Sequence, residues 1–265
     1  MTTYLQGHHD SVLRSHRWRT AENSAAHLLP HLRPGMRVLD VGCGPGTITR
    51  DLGALVGPAG EVLGLDSAAD VVTRAAGACD LPQVRFAVGD ALALDVDDGA
   101  YDVVHAHQVL QHLSDPIAAL REMRRVTRPG GLVAVRDADY AAMVWHPAVP
   151  ALDRWRAVYS AAARAHDGEP DAGRRLLGWA QAAGFDDVVP SASTWCFATP
   201  EDRAWWGGMQ ADRIVASRIA GEAVTRGLAS TDELQEIADG WRAWAAAEDG
   251  WFAVLHGELL CRVGR

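Results

Sequence analysis

Short apolar runs separated by amphipathic stretches set the plan of the first half of the chain. "RVLDVG", "EVLGLD", "VRFAVGD", "YDVVHAH" and "GLVAVRD" are brief and nearly continuous in Val, Leu, Phe and Ala. That is the pattern of strands buried on both faces of a parallel sheet rather than of strands with one wet face. Between the runs the period becomes helical. In "AENSAAHLLPHL", Ala25, Leu28, Leu29 and Leu32 fall on one helical face, and the Pro-Gly turn of "RPGM" ends the segment. "SDPIAALREMRRVTRPGG" predicts a helix with Asp115 as N-cap, Pro116 at the first helical position, and Arg124, Arg125 and Arg128 at the C-terminal end. Strand and helix alternate in this way through Asp137, which predicts an α/β fold with a doubly wound, Rossmann-like sheet.

Past Asp139 the pattern changes. Helical periodicity predicts helices over 150–166, 172–183, 201–226 and 231–247, rich in Ala and Trp, with strands at "FDDVVPSASTWCFA" and "WFAVLHGELLCRV". Nine of the ten tryptophans, all but Trp18, lie beyond residue 140, so the second half carries most of the large aromatic surface. The expected organisation is an N-terminal helical flap (1–34), a Rossmann-like core (35–139), and a helical cap (140–265) that also supplies the last two strands of the sheet.

Composition narrows the function. With 265 residues and 48% hydrophobic content, the chain can fill a sizeable core. A formal charge of -9 and the lack of any basic run argue against a nucleic-acid partner. Cys43, Cys79, Cys196 and Cys261 form no CxxC pair, which argues against a zinc site or a disulfide framework and suits a reducing cytoplasm. No apolar run approaches the roughly 18 residues of a membrane span, so a soluble, unprocessed cytoplasmic protein without membrane contact is expected.

The stretch "VLDVGCGPGT" carries the first chemistry. A strand ending in Gly42, Gly44 and Gly46 turns tightly, keeps side chains off a ligand and presents main-chain amides at a helix N-terminus. The dinucleotide fingerprint G-x-G-x-x-G fails, because Thr47 and Thr49 stand where its third glycine would be. Asp40, just before the loop, suits a ligand with a cationic ammonium and has no use beside pyrophosphate. Asp66 closes the next apolar run, where a carboxylate can accept both ribose hydroxyls. Asp90 closes the third, where it could accept from an exocyclic amine such as that of adenine. Three acid-terminated strands in series point to a nucleoside lacking phosphate.

On these residues the sequence resembles the class I S-adenosylmethionine-dependent methyltransferases, of the branch similar to ubiquinone and menaquinone biosynthesis methyltransferases. Asp40, Gly42, Gly44 and Gly46 match the first motif, and Cys43 between them, a small side chain in a tight loop, is a further candidate for contact with the cofactor. Asp66 with Ser67 matches the ribose-binding acid, Asp90 with Ala91 the adenine-side motif, and "YDVVHAHQVLQHLSDP" with "RVTRPGGLVAV" the fourth and fifth strands. The resemblance covers roughly residues 20 to 140. It implies a seven-stranded sheet with its last strand antiparallel, S-adenosyl-L-methionine as cofactor, S-adenosyl-L-homocysteine as product, and no metal. The about 50 residues between the last two strands depart from the family's short hairpin.

Methyl transfer from a sulfonium needs alignment, exclusion of water and sometimes a base. His107, Gln108 and His112 at the end of the fourth strand, with Asp137 and Asp139 after the fifth, are the candidates. His107 is the residue expected to face the reactive methyl, as a base or as a neutral ring, while His112 either shares the chemistry or bonds the following loop. In "GHHDSVLRSHRWRT", His8, His9 and His16 diverge too far along a helix to gather one ion. The segment reads either as a solvated helix capped by Asp10 or as a flap placing Tyr4 and one histidine over the cofactor. Trp205, Trp206, Trp241, Trp244 and Trp251 either fill the cap's core or line a pocket for an aromatic or cationic acceptor. A homodimer through an exposed Trp-rich cap would cover that surface. The expected activity is methyl transfer to a small-molecule acceptor in secondary metabolism, at an oxygen, nitrogen, carbon or sulfur atom. The alternatives are a cofactor-binding protein without turnover and a non-methylating cyclase or rearrangement enzyme on the same fold.

Overall fold

The computed structural model describes residues 18–264. Tyr4, His8, His9, Asp10 and His16, and with them the first half of the expected flap, lie outside the described residues.

The apolar runs form the strands they predict. β1 (Arg37–Val41), β2 (Glu61–Asp66), β3 (Val84–Val88), β4 (Tyr101–His107) and β5 (Thr127–Ala138) are parallel neighbours in the order β3-β2-β1-β4-β5. The order reverses between β1 and β4, the place where doubly wound sheets open a crevice at their carboxyl ends. Beyond β5 lies β8 (Trp251–Arg262), antiparallel to β5 from Leu132↔Arg262 to Ala138↔His256. Its other edge pairs along its length with β7 (Asp187–Phe197). An eighth strand, β6 (Val144–His146), continues the β5 side of β8 and has no counterpart among the predicted strands. Three residues are too few to show a period.

Helices cover both faces. On one, α2 (Thr47–Val56) buries Ile48, Leu52 and Val56 against Val38, Val62 and Val103. α3 (Ala69–Ala78) follows β2 and packs beside β3. On the other face, α4 (Pro116–Val126) buries Leu120 and Met123 against Leu39, Val104 and Val133. α4 begins as the sequence predicts, with the Asp115 carboxylate accepting from the Ala118 amide and Pro116 at its first position.

The predicted segment at 21–32 is broken. Thr20 and Asn23 form a capping box that starts α1 (Ala21–Ser24), and Pro30 enters a separate 3-10 turn, Leu29–His31. The segment 172–183 begins as a 3-10 turn before α6 (Leu176–Ala182), whose Leu176 and Ala180 join α4 on the sheet rather than the cap. The remaining helices, α5 (Pro150–Arg164), α7 (Pro200–Ala216), α8 (Arg218–Thr225) and α9 (Thr231–Ala246), pack together over the ends of β7 and β8. The predicted helix 201–226 is split by Ser217, which takes an extended conformation (φ -86, ψ 171) as the residue between α7 and α8.

The tryptophans make the cap's core. Trp241 and Trp244 are fully buried, Trp206 stacks on Phe197 at 4.2 Å, and Trp241 meets Trp155 edge-on at 5.0 Å. Burial of aromatic area on this scale holds the cap to the sheet. Among the described residues the large apolar side chains left exposed include one tryptophan, Trp251.

Candidate functional site

The turn from β1 into α2 needs its glycines. Gly42, Gly44 and Gly46 have φ of 70°, 54° and 79°, where side chains with a Cβ are strained, and a Cβ on Gly42 would lie 2.4 Å from Val109 Cγ2. The loop is tied to its neighbour: the Cys43 amide donates to the Leu65 carbonyl at 2.9 Å, and the Gly46 amide to Cys43 at 3.1 Å.

Each of the three acids is held differently. Asp40, nearly buried in β1, accepts from Thr49 Oγ1 at 2.6 Å through Oδ2, and its Oδ1 lies 2.8 Å from His105 Nδ1. Asp66 accepts the Gly44 amide and the Ala68 amide, both at 3.0 Å, one on each oxygen. Asp90 Oδ1 accepts the Leu92 amide at 3.0 Å. Backbone thus fixes the two outer carboxylates in orientation, while Asp40 is fixed by side chains beneath it.

A cleft of about 670 Å³ opens over these strand ends, a size suited to a nucleoside-sized ligand. Asp40, Gly42, Cys43, Gly44, Asp66, Ser67, Asp90, Ala91, His107, Gln108 and His112 all line it. Gly46 does not: it stands at the N-terminus of α2 with its Cα toward the Phe86 ring. Arg19, Val109, Leu113 and Arg218 also line the cleft and had no signal in the sequence beyond being polar or apolar residues in helical or loop segments. No tryptophan lines it, so the cap's aromatic residues act as core.

The end of the cleft beside β4 is built from neutral rings. His107 is buried, and among the described residues neither ring nitrogen has a hydrogen-bond partner; Trp195 and His256 pack against it at 5.5 and 6.0 Å. Burial, with the charges of Arg19 and Arg136, pushes its pKa well below the ordinary histidine value. Burial lowers His112 to about 3, and its Nε2 lies 3.0 Å from Gln111 Nε2. Gln108 follows β4 with a left-handed backbone, φ 53°, its amide donating to the Arg136 carbonyl at 2.7 Å. Its side chain reaches Arg19 Nη2 at 2.6 Å and His256 Nε2 at 2.8 Å.

The remaining candidates separate. Burial raises the Asp137 carboxyl to about 7, against the opposing pull of the Gln111 and Leu110 amides, and Asp137 is not among the residues lining the cleft. Asp139 makes a two-pronged ion pair with Arg174, 2.6 Å on each prong, and accepts the Ala142 amide, which is a structural role. Burial and the nearby Asp40 and Asp66 push the Cys43 thiol up, so it is no nucleophile. Among the described residues no group of side chains could hold a metal ion, and no helix is long and apolar enough to cross a membrane.

Comparison with known proteins agrees with this geometry. The sequence profile of a family described as a methyltransferase domain matches residues 32–182. A relative in Schizosaccharomyces pombe, named an uncharacterized methyltransferase, is 34% identical over 271 residues, 97% of this chain and 95% of its own. The protein named "Probable methyltransferase ltbC" of Aspergillus luteorubrus is 32% identical over 97% of this chain and 96% of its own. Among solved structures, a phosphoethanolamine N-methyltransferase of Haemonchus contortus in complex with S-adenosylhomocysteine shares the fold with a TM-score of 0.56 at 18% identity, over 91% of this chain and 52% of its own.

Proposed function

Because this chain belongs to the class I S-adenosylmethionine-dependent methyltransferases, we propose that its cleft holds S-adenosylmethionine and delivers the methyl to a small-molecule acceptor. The observation that carries the reading is the set of acids around the glycine loop. Asp40, Asp66 and Asp90 line one cleft, and the Gly44 amide, which a pyrophosphate would need, is already given to Asp66. A carboxylate-lined cleft repels phosphate and favours a ligand that brings hydroxyls, an amine and positive charge. The residues present therefore fit this cofactor. Asp66 would accept the ribose hydroxyls, Asp90 the adenine amine, and the loop with Asp40 would face the methionine end.

The cofactor supplies an activated methyl on a sulfonium. The chain's own part is to align the acceptor and keep water out. His107 and His112 are held neutral by burial, so they offer lone pairs and N–H groups for orientation rather than charge. A depressed pKa also makes His107 a weak proton acceptor, which favours an acceptor atom that is nucleophilic with little help from a base. The net charge of -9 and the acid-lined cleft favour a small molecule over a nucleic acid and support a reading in secondary metabolism; the four free cysteines suit a reducing cytoplasm.

Calorimetric titration with S-adenosylmethionine, S-adenosylhomocysteine and NADH tests the cofactor. Binding of the two sulfur nucleosides alone, weakened in Asp66→Ala, is the expected result; failure of a folded sample to bind either overturns the reading. A screen with a methyl-labelled donor then tests the chemistry. A product that gains no label would replace methyl transfer by a cyclisation or rearrangement.

A further inference from the structure

We propose that Arg218 anchors the methyl acceptor, and that the acceptor is a small carboxylic acid whose carboxylate pairs with this guanidinium while another of its atoms takes the methyl. The assignment rests on the methyl-transfer reading above and adds to it the charge of the acceptor and the residue that selects it.

The cleft is lined almost wholly by the first half of the chain. Its described lining residues run from Arg19 through the strand ends to Leu113, and Arg218, the first residue of α8, is the single one beyond. Among the described residues the cap thus meets the cleft through one side chain, and that side chain is a cation. The acids that fit the nucleoside close β1, β2 and the run after β3, whereas Arg218 lies between β7 and β8, in a segment apart from them. A group carried on such an added segment can select an acceptor without disturbing the cofactor's contacts.

The charge of Arg218 is unspent. Its Nη2 lies 3.6 Å from Glu222 Oε1, one helical turn on, which is beyond hydrogen-bond distance. Glu222 is engaged by others: Arg226 Nε donates to its Oε2 at 3.1 Å, and His166 Nε2 lies 2.9 Å from the same oxygen. Arg218 has no hydrogen-bond partner among the described residues, and its side chain is 39% exposed, within reach of a ligand entering the cleft. The neighbouring Ser217 is buried with its Oγ unpartnered and does not cap α8, so a further donor stands unused beside the guanidinium.

The planar fork of a guanidinium matches a carboxylate, and it repels a cationic amine. A phosphate would bring more negative charge into a cleft that Asp40, Asp66 and Asp90 also line, which favours the singly charged acid. A carboxylate whose lone pairs are given to Arg218 is a poor nucleophile, so the methyl goes to a different atom of the acceptor. His107, buried at the end of β4 with both ring nitrogens unpartnered among the described residues, is left to orient that atom. Val109 and Leu113 line the same cleft and suit an apolar body between the two ends.

The test offers methyl-labelled S-adenosylmethionine with a panel of small hydroxy- and amino-substituted aromatic carboxylic acids, each beside its primary amide, which keeps the shape and loses the charge. The acids should be labelled with a kcat/KM at least about tenfold above their amides, and the label should resist mild alkali, as a methyl ester would not. Arg218→Gln should raise KM for the best acid roughly tenfold, with kcat and the Kd for S-adenosylhomocysteine unchanged within about twofold. Arg218→Lys should recover part of the loss. Amides or cationic amines labelled as readily as acids, an alkali-labile product, an unchanged KM in Arg218→Gln, or an equal loss of S-adenosylhomocysteine binding each overturn the assignment while leaving the cofactor reading intact. Where no member of the panel takes label, calorimetry of the same pairs on protein saturated with S-adenosylhomocysteine decides, and no acid binding more tightly than its amide overturns it. Failure of the unmodified protein to bind S-adenosylhomocysteine overturns both readings.

Discussion

Asp40 of β1 and His105 of β4 are direct register partners in the sheet, and Asp40 Oδ1 sits 2.8 Å from His105 Nδ1 with both side chains closed to solvent. The acid at the floor of the cleft is therefore positioned from the neighbouring strand, and Thr49 of α2 holds its other oxygen. Replacing His105 by Leu would leave a buried carboxylate short of one partner. We expect a stability loss of about 3 kcal/mol, read as a lower denaturant midpoint, together with weaker binding of S-adenosylmethionine. Thr49→Val should cost less, about 1 kcal/mol, because it removes a single hydroxyl.

The glycine loop gives a second expectation. Gly42→Ala adds both a strained φ of 70° and a collision with Val109, so it should destabilise by about 2–3 kcal/mol and abolish measurable nucleoside binding. Val109→Ala in the same chain opens space but leaves the φ strained. Thermal melts of the single and double variants should show partial recovery and no more.

Asp137 sets a pH dependence of unusual sign. Burial raises its folded carboxyl to about 7 from 3.8, so the folded state holds a proton that the unfolded state has released. Its contribution is fully present below about pH 4 and is lost as pH rises to about 7, on the order of 4 kcal/mol at most. In Asp137→Asn that downward slope should vanish. Chemical denaturation of the two proteins at pH 4.5, 6 and 8, as rough sampling points of that window, measures the difference.

His112 acts with the opposite sign. Its folded pKa is depressed to about 3 from 6.5, so the stability it contributes is present above about pH 6.5 and is lost as pH falls toward 3. His112→Asn should flatten the acid limb of the stability curve. In the same protein, nitrogen-detected magnetic resonance of the imidazoles should show His107, His112 and His256 neutral throughout the range from about pH 6 to 8.

The strands of the core were legible because each is a short continuous apolar run, and the acids that close them fell where the cleft was found. The start of α4 was legible for a local reason, Asp115 and Pro116 at adjacent positions. What escaped was either too short or too long in range. β6 spans three residues, and the period of the helix predicted over 201–226 runs unbroken through Ser217, where only the backbone departs from it. The polar chain on the cleft wall joins Arg19 to Gln108 across 89 residues and Gln108 to His256 across 148, and no spacing in the sequence encodes such partners. The tryptophans left two readings open for another reason: at helical spacing, core and pocket residues look alike, and packing decided that they belong to the core.

The place of β8 bears on how the molecule is assembled. Last of the strands in chain order, it lies inside the sheet, between β5 and β7, both made earlier. A growing chain that has passed Phe197 carries two strands with unsatisfied edges facing each other across a gap, and it must complete α7, α8 and α9 before the strand that fills the gap exists. The described residues that line the cleft all precede β8, and only His256, which meets the Gln108 side chain, arrives with it. The interval between β7 and β8 is when the nascent protein's unpaired strand edges are exposed to wrong pairing.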